Sequence, residues 1–402
     1  MSSSIVLAFS GGLDTSYCIP YLRETTGREI VTVTVDTGGL DAAAIQELEK
    51  RALALGAQEH HRIDARDLFF DQVLRPLIFG NVRRGHLYPL CVGSERVLQA
   101  QQVAEMAKRL GARAIGHGCT AAGNDQIRFE VALRTLDPEL EILAPVRDDP
   151  KPRAEQVAFL EKRGLPVPPH GAAYSVNRGL WGVTVGGRET LDSKTTIPES
   201  AWPLSAGAFE DPAPAETMTL GFEKGIPVSI DGTAHGPVAL LESLERRGAR
   251  FAIGRGIHLG DTVLGIKGRV AFEAPAAEIV LTAHRELEKL TLTARQLRLK
   301  DQVAPIYGDL VHEGQLLDPV CRDIERFLAS TQERVTGTVT LQLRPGSLFV
   351  EGVQSPSSLF AATRGQYGEA AGEWSAADAL GFARLSALPG LLYRRAGEGQ
   401  PS

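Results

Sequence analysis

The segment Ser10-Gly11-Gly12-Leu13-Asp14-Thr15-Ser16 gathers two adjacent glycines, three hydroxyls and a carboxylate within seven residues. It follows the apolar run Ile5-Val6-Leu7-Ala8-Phe9, which reads as a buried strand, and leads into a stretch that continues as a helix. Glycines let main-chain N–H groups close on oxygen atoms, and a helix N-terminus adds partial positive charge. A strand, turn and helix of this composition therefore make a phosphate cradle. A turn without a ligand would need only one Asp or Ser as a cap. Two common cradles are excluded: the segment has no Gly-Lys-Ser/Thr ending and no G-x-G-x-x-G spacing.

A second dense cluster runs from Gly116 to Glu130, with the sequence GHGCTAAGNDQIRFE. Thr120, Asn124 and Asp125 offer a hydroxyl, an amide and a carboxylate in close succession. Arg128, four residues after Asn124, falls on the same side of a helix. Donors for a carboxylate beside an acceptor for an ammonium suit a polar zwitterion. A helix start capped by Asn124, with an Asp125–Arg128 ion pair, accounts for the same residues without a ligand. Asp36 ends the β-branched run Ile30-Val31-Thr32-Val33-Thr34-Val35 and is expected near the nucleotide, or as a turn-forming Asp.

These residues need a scaffold, and the pattern around them supplies one. Strand-like runs at Ile5, Ile30, Ala114 and Glu141 alternate with helical stretches at Ala42–Leu55 and Ser94–Leu110, each closed by a glycine. Repeated β-α units predict a doubly wound α/β domain on a parallel sheet, which binds ligands beyond the carboxyl ends of its strands. Ser10, Asp36 and the loop from Gly116 to Thr120 all follow strand ends. Prolines accumulate between Lys151 and His170, so a nucleotide-binding domain is expected over 1–170. Mixed helical and alternating patterns predict an α+β domain over 171–365, with strands at Thr338–Leu343 and Ser347–Val350. Residues 366–402 read as a tail whose apolar patch from Leu380 to Leu392 docks on a neighbouring subunit or on its own chain.

Composition narrows the class. The chain has 402 residues, 43% of them apolar and 23% charged, as an ordinary globular enzyme does. A net charge of −6 announces no nucleic-acid partner. The cysteines Cys18, Cys91, Cys119 and Cys321 are scattered without a C-x-x-C, which argues against a zinc site or a disulfide framework and fits a reducing cytosol. No run of about eighteen apolar residues predicts a membrane span. A first strand beginning near Ile5 leaves no room for a signal peptide, so a cytoplasmic location is expected.

The segment SGGLDTS resembles the pyrophosphatase loop of the N-type ATP pyrophosphatases. With HGCTAAGNDQIRFE, Tyr174-Ser175, Leu180-Trp181-Gly182, the stretch Gly265 to Pro275, Ser358-Leu359-Phe360 and the tail Gly381 to Leu385, nearly the whole chain resembles the argininosuccinate synthase family. SGGxDTS alone marks the superfamily, whereas GNDQ-x-RFE is far more specific. The resemblance implies a ligase: ATP and citrulline form a citrullyl-adenylate, then aspartate displaces AMP. ATP is thus a substrate, Mg²⁺ its companion ion, and a homotetramer the assembly. Carried over, Ala8, Phe9, Ser10, Gly11, Gly12, Leu13, Asp14, Thr15 and Ser16 resemble the ATP loop, with Gly118 a further nucleotide contact. Thr120, Asn124 and Asp125 resemble aspartate contacts; Tyr88, Asn124, Arg128, Ser175 and the hydroxyl of Thr184 resemble citrulline contacts. Asp14, Asp125 and Arg128 are the candidates for catalytic roles, and no residue is expected to serve as a dedicated metal ligand.

The citrulline side departs from the family pattern. Gly93 stands where a serine is usual, with Ser94 beside it as a contact or a helix cap. Gly260 stands where the family has a glutamate, which Asp261 replaces only if the loop shifts, and Phe272 replaces a tyrosine. Two acceptors follow: citrulline, or another ureido or carbonyl compound joined to aspartate. A non-catalytic nucleotide-binding protein that kept the fold is the further alternative. A tRNA-modifying enzyme would need a paired or persulfide cysteine and a basic face, and the sequence offers neither.

Overall fold

A computed structural model describes residues 4–169 and 174–398. The expected boundary at 170–171 falls outside the described residues. Five strands form the first sheet: β1 (Ile5–Ala8), β2 (Ile30–Asp36), β3 (Glu59–Asp64), β4 (Ala114–Gly116) and β5 (Glu141–Leu143). Their order is β3-β2-β1-β4-β5 and every pairing is parallel, with Ile5 opposite Ile30 on one side and Ala114 on the other. Ile5 and Leu7 pack with Tyr17, Ile19 and Leu22 of the helix Leu13–Thr26 on one face of the sheet. Val6 joins Val97, Ala100 and Val103 of the helix Arg96–Arg109 on the other. A strand hidden on both faces carries no alternation, which is why β1 is a continuous apolar run. The helix Ala42–Ala54 shares the first face, burying Leu48 and Ala52. The α/β sheet is therefore covered on both sides.

Strand order turns back between β1 and β4. The chain passes from β1 outward to β2 and β3, then returns to lay β4 and β5 on the opposite flank. The loops leaving β1 and β4 diverge to opposite faces there and open a crevice at the carboxyl edge. The two motifs are the segments that leave these strands.

The following residues build antiparallel sheets. β6 (Ser175–Gly179), β7 (Gly182–Gly186), β8 (Glu216–Glu223), β9 (Ile226–Ile230), β10 (Thr233–Ala234), β11 (Arg255–Asp261), β12 (Lys267–Glu273), β13 (Gly337–Arg344) and β14 (Ser347–Gln354) sort into β11-β12-β7-β6 and β10-β9-β8-β13-β14. Val339, Leu341 and Leu343 alternate into the core with Thr340 and Gln342 between them, as a half-buried strand requires. The helices Pro237–Ala249 and Pro275–Thr291 pack on each other and against the second of these sheets. One apolar core runs from Val6 through Trp181 to Leu343, and Trp181, fully buried, donates Nε1–H to the Pro89 carbonyl at 2.9 Å.

The chain divides into two compact units, Met1–Ser355 and Pro356–Ser402. Within the second, the helix Ala376–Glu398 carries exposed Leu380, Phe382, Leu385 and Tyr393. No helix of the described residues is long and apolar enough to cross a membrane.

Candidate active site

The turn after β1 is shaped by Gly11. Its φ is +75°, a conformation that favours glycine, and a Cβ there would lie 2.1 Å from Leu48 Cδ2 and push that side chain aside. Arg51 Nη1 donates to the Gly11 carbonyl at 2.8 Å, tying the turn to the neighbouring helix. The helix then starts at Leu13, with Gly12 at its N-cap and no side chain capping it. A helix start leaves main-chain donors unspent inside the helix, which is the property a phosphate site uses. Thr15 Oγ1 donates to the Gly12 carbonyl at 3.2 Å, and Asp14 Oδ1 accepts from Gln156 Nε2 at 3.0 Å, so the loop's polar side chains are held in place. Asp36 is buried. Its Oδ1 accepts from the Gly38 N–H at 2.9 Å and its Oδ2 from Arg62 Nη2 at 2.5 Å. It forms the expected turn and lines the crevice.

The second motif begins after β4 and enters the helix Asn124–Leu136. Asn124 does not cap this helix. Gly123 occupies the N-cap, and Asn124 Oδ1 accepts from the Val263 N–H at 2.9 Å, anchoring the hairpin between β11 and β12. Asp125 accepts from Arg128 Nη1 at 2.7 Å and from Arg96 Nε at 2.9 Å. Burial works against its charge, but the two arginines overcome that and hold its pKa at about 2. Arg128 is buried and clamped, with Nε donating to the His312 carbonyl at 2.7 Å and Nη2 meeting His312 Nδ1 at 3.2 Å. Because a guanidinium only donates, His312 Nδ1 must accept and its proton sits on Nε2. Burial, then Arg128, lowers the His312 pKa to about 3, in keeping with a neutral ring.

Beside Arg128 lie the positions that depart from the family pattern. A Cβ on Gly93 would come 3.2 Å from Arg128 Nη2, so the guanidinium fills the place of a side chain there. Ser94 Oγ donates to the Cys91 carbonyl at 3.0 Å and does not cap the following helix. A Cβ on Gly260 would lie 2.5 Å from His258 Nε2, so the imidazole covers that residue. The His258 ring stacks on Tyr88 with centroids 5.6 Å apart. The register of β11 against β12 runs without a bulge from Arg255–Glu273 to Asp261–Lys267. Asp261 therefore stays out of phase with Gly260, and its carboxylate pairs with Lys267 at 2.5 Å. Phe272 is buried against Tyr88.

One cleft of about 900 Å³ brings these groups together. Of the expected nucleotide residues, Ala8, Phe9, Ser10, Gly12, Asp14, Thr15, Asp36 and Gly118 line it, while Gly11, Leu13 and Ser16 are not among its lining residues. Leu13 and Ser16 point into the protein, the latter with a buried Oγ that has no partner. The expected substrate residues Tyr88, Thr120, Asn124, Asp125, Arg128, Ser175 and Thr184 all line it. Sequence reasoning passed over Glu95, Arg96, His258 and His312, which line it too. The pair Glu95-Arg96 at a helix start was a visible signal; the two histidines arrive from distant segments and carried none. Burial pushes Glu95 up to about 8 against the pull of Arg96 and the Thr37 hydroxyl, so its carboxyl is largely protonated at neutral pH.

The comparisons with known proteins agree with this geometry. Residues 4–166 match the family model described as the arginosuccinate synthase N-terminal HUP domain, and residues 174–393 match that of the C-terminal domain. Argininosuccinate synthase of Xanthomonas campestris pv. campestris is 41% identical over 396 residues, covering 98% of each chain. That of Methanocaldococcus jannaschii is 36% identical with 98% of each chain covered, and that of Staphylococcus saprophyticus is 36% identical over 97% of this chain and 96% of its own. With the cradle, the second motif and both halves of the sequence matched in this way, the chain belongs to the argininosuccinate synthase family.

Proposed function

We propose that this protein condenses citrulline with aspartate, forming argininosuccinate, AMP and pyrophosphate in arginine biosynthesis. The observation that carries the reading is the meeting of the two motifs at the sheet's crevice, within a chain alike to argininosuccinate synthases over nearly its whole length. The ureido oxygen of citrulline attacks the α-phosphorus of ATP, and the bond to the β,γ-pyrophosphate breaks. The aspartate amine then attacks the activated carbon, loses a proton, and AMP departs with the C–O bond pair. A ureido carbon is a poor electrophile, so adenylation supplies the leaving group. Residues then act mainly by positioning and charge neutralisation.

In this reading Ala8 to Ser16, Asp36 and Gly118 hold the nucleotide. The main-chain donors after Gly11 take the pyrophosphate. Ionised Asp125, with Thr120 and Asn124, receives aspartate. Arg128, with Tyr88, Ser175 and Thr184, receives citrulline. Mg²⁺ enters with the triphosphate. No group of three His, Cys, Asp or Glu side chains among the described residues forms a cage. Such a donor set suits an ion that keeps its phosphate oxygens and waters, with Asp14 able to add one carboxylate. A division near residue 170, a cytoplasmic location and a homotetramer joined through the helix Ala376–Glu398 complete the proposal. The exposed apolar residues of that helix support the last point. Product analysis tests the whole. AMP and pyrophosphate formed only with citrulline and aspartate both present are expected, and ADP as the product overturns it.

A further inference from the structure

The corner of the cleft around Arg128 is unusual in its charge. Arg84 and Arg128 supply two cations; Arg84 Nη1 donates to the Asp261 carbonyl at 2.8 Å. The carboxylates nearby are already engaged, Asp125 by Arg96 and Arg128, Asp261 by Lys267, and Asp309 by Arg84 Nε at 3.5 Å. The remaining groups are neutral. His312 presents Nε2–H near the Asp261 carbonyl without closing a hydrogen bond. His258 lies over Gly260 with a buried Nε2 that has no hydrogen-bond partner. Burial and then Arg84 lower the pKa of His258, which keeps this ring uncharged as well. Among the described residues, a wall of guanidinium groups and neutral imidazoles with no unpaired carboxylate binds a carboxylate through its guanidinium donors. It offers an ammonium group no ion pair.

We propose that His258 makes this corner indifferent to the charge on the acceptor's α-nitrogen, so that the protein uses ureido acids whose α-nitrogen is acylated as well as citrulline. The inference rests on the ligase reading above and names the substrate class of the same site. The acid's carboxylate meets Arg128, and the acylated nitrogen, being neutral, needs no counter-charge from this wall. Over Gly260 the His258 ring presents an uncharged surface where a carboxylate would otherwise stand. The chemistry at the ureido oxygen is unchanged, because the substituent lies at the other end of the molecule.

The test compares kcat/KM for citrulline and for N-acetylcitrulline in the purified full-length protein, by pyrophosphate release with Mg-ATP and aspartate. Values for the two acceptors within about a hundredfold of each other, or favouring the acylated one, support the proposal. Turnover of citrulline with the acylated acceptor more than about a hundredfold poorer overturns it and leaves the ligase reading standing. Release with neither acceptor overturns both. The double variant H258A/G260E removes the ring and installs a carboxylate, which in the single G260E change would require the ring to shift. Its ratio should move toward citrulline by about tenfold or more, through KM rather than kcat, and an unmoved ratio in the folded variant overturns the role of His258. The wild-type comparison stands whether or not the variant folds.

Discussion

Arg128→Lys keeps the charge at the centre of the acceptor corner and removes its shape. The guanidinium makes three contacts: Nη1 to Asp125 at 2.7 Å, Nε to the His312 carbonyl at 2.7 Å and Nη2 to His312 Nδ1 at 3.2 Å. A lysine ammonium is a point charge on a flexible stem and can keep one of them. Two hydrogen bonds from a charged donor are lost, each worth about 1.5 to 3 kcal/mol, so the total is about 3 to 6 kcal/mol. These bonds lie within the chain, so their loss falls on the fold, and a melting curve measures it. The acceptor's carboxylate separately loses the planar donor proposed to receive it, whose charged hydrogen bonds are worth about 1.5 to 3 kcal/mol each. A loss of about 3 to 4 kcal/mol in transition-state binding lowers kcat/KM for citrulline by about 100-fold to 1000-fold. The KM for ATP should stay within about threefold, because the cradle is built on another loop. Steady-state kinetics with each substrate varied in turn separates the two. A folded Arg128→Lys protein with ordinary citrulline kinetics, or with ATP affected equally, would refute the assignment of this corner to the acceptor.

Gly11→Ala puts a side chain at a φ of +75° and displaces Leu48, so the turn is strained. The KM for ATP should rise at least about tenfold, with about 1 kcal/mol or more lost in stability, read from ATP-dependent kinetics and a denaturant melt. Glu95→Gln should change how stability depends on pH. The folded carboxyl is raised from an ordinary 4.5 to about 8, so folded protein holds a proton that the unfolded chain releases, and wild-type stability declines as pH rises through that interval. The difference sets an upper limit on the order of 5 kcal/mol. The variant should gain on the wild type between pH 5 and pH 8, whereas parallel melting curves would contradict the protonated state.

What could be foreseen in the sequence and what could not divides along a physical line. β1 was legible because a strand covered on both faces needs an uninterrupted apolar run, β2 because its run is β-branched from Ile30 to Val35, and the helix Ala42–Ala54 because it ends against a glycine. The cradle was legible because its chemistry lies in one continuous segment, with Gly11 favoured locally. Asn124 was misjudged as a possible cap: its amide is taken by Val263, 139 residues away, a contact that no local pattern encodes. His258 and His312 stayed hidden for the same reason. Each is an unremarkable residue on its own strand or helix, and gains a role only when the hairpin of β11 and β12 and the end of the helix Ala294–His312 meet Arg128 and Tyr88.

The division extends to the chemistry. Groups that grip phosphate are main-chain donors, which a short glycine-rich segment can define alone. In the proposed reading, the groups that distinguish one acceptor from another are side chains gathered from segments far apart, so no single stretch of sequence defines them. The regular pairing of Asp261 with Lys267 illustrates this: β11 kept its register, so Asp261 could not turn inward, and a residue two positions earlier filled the space over Gly260 instead. A strand repeats its facing every second residue. Any replacement for a side chain at 260 must therefore come from 258 or 262, or from an element across the cleft, and His258 is the position that the structure uses.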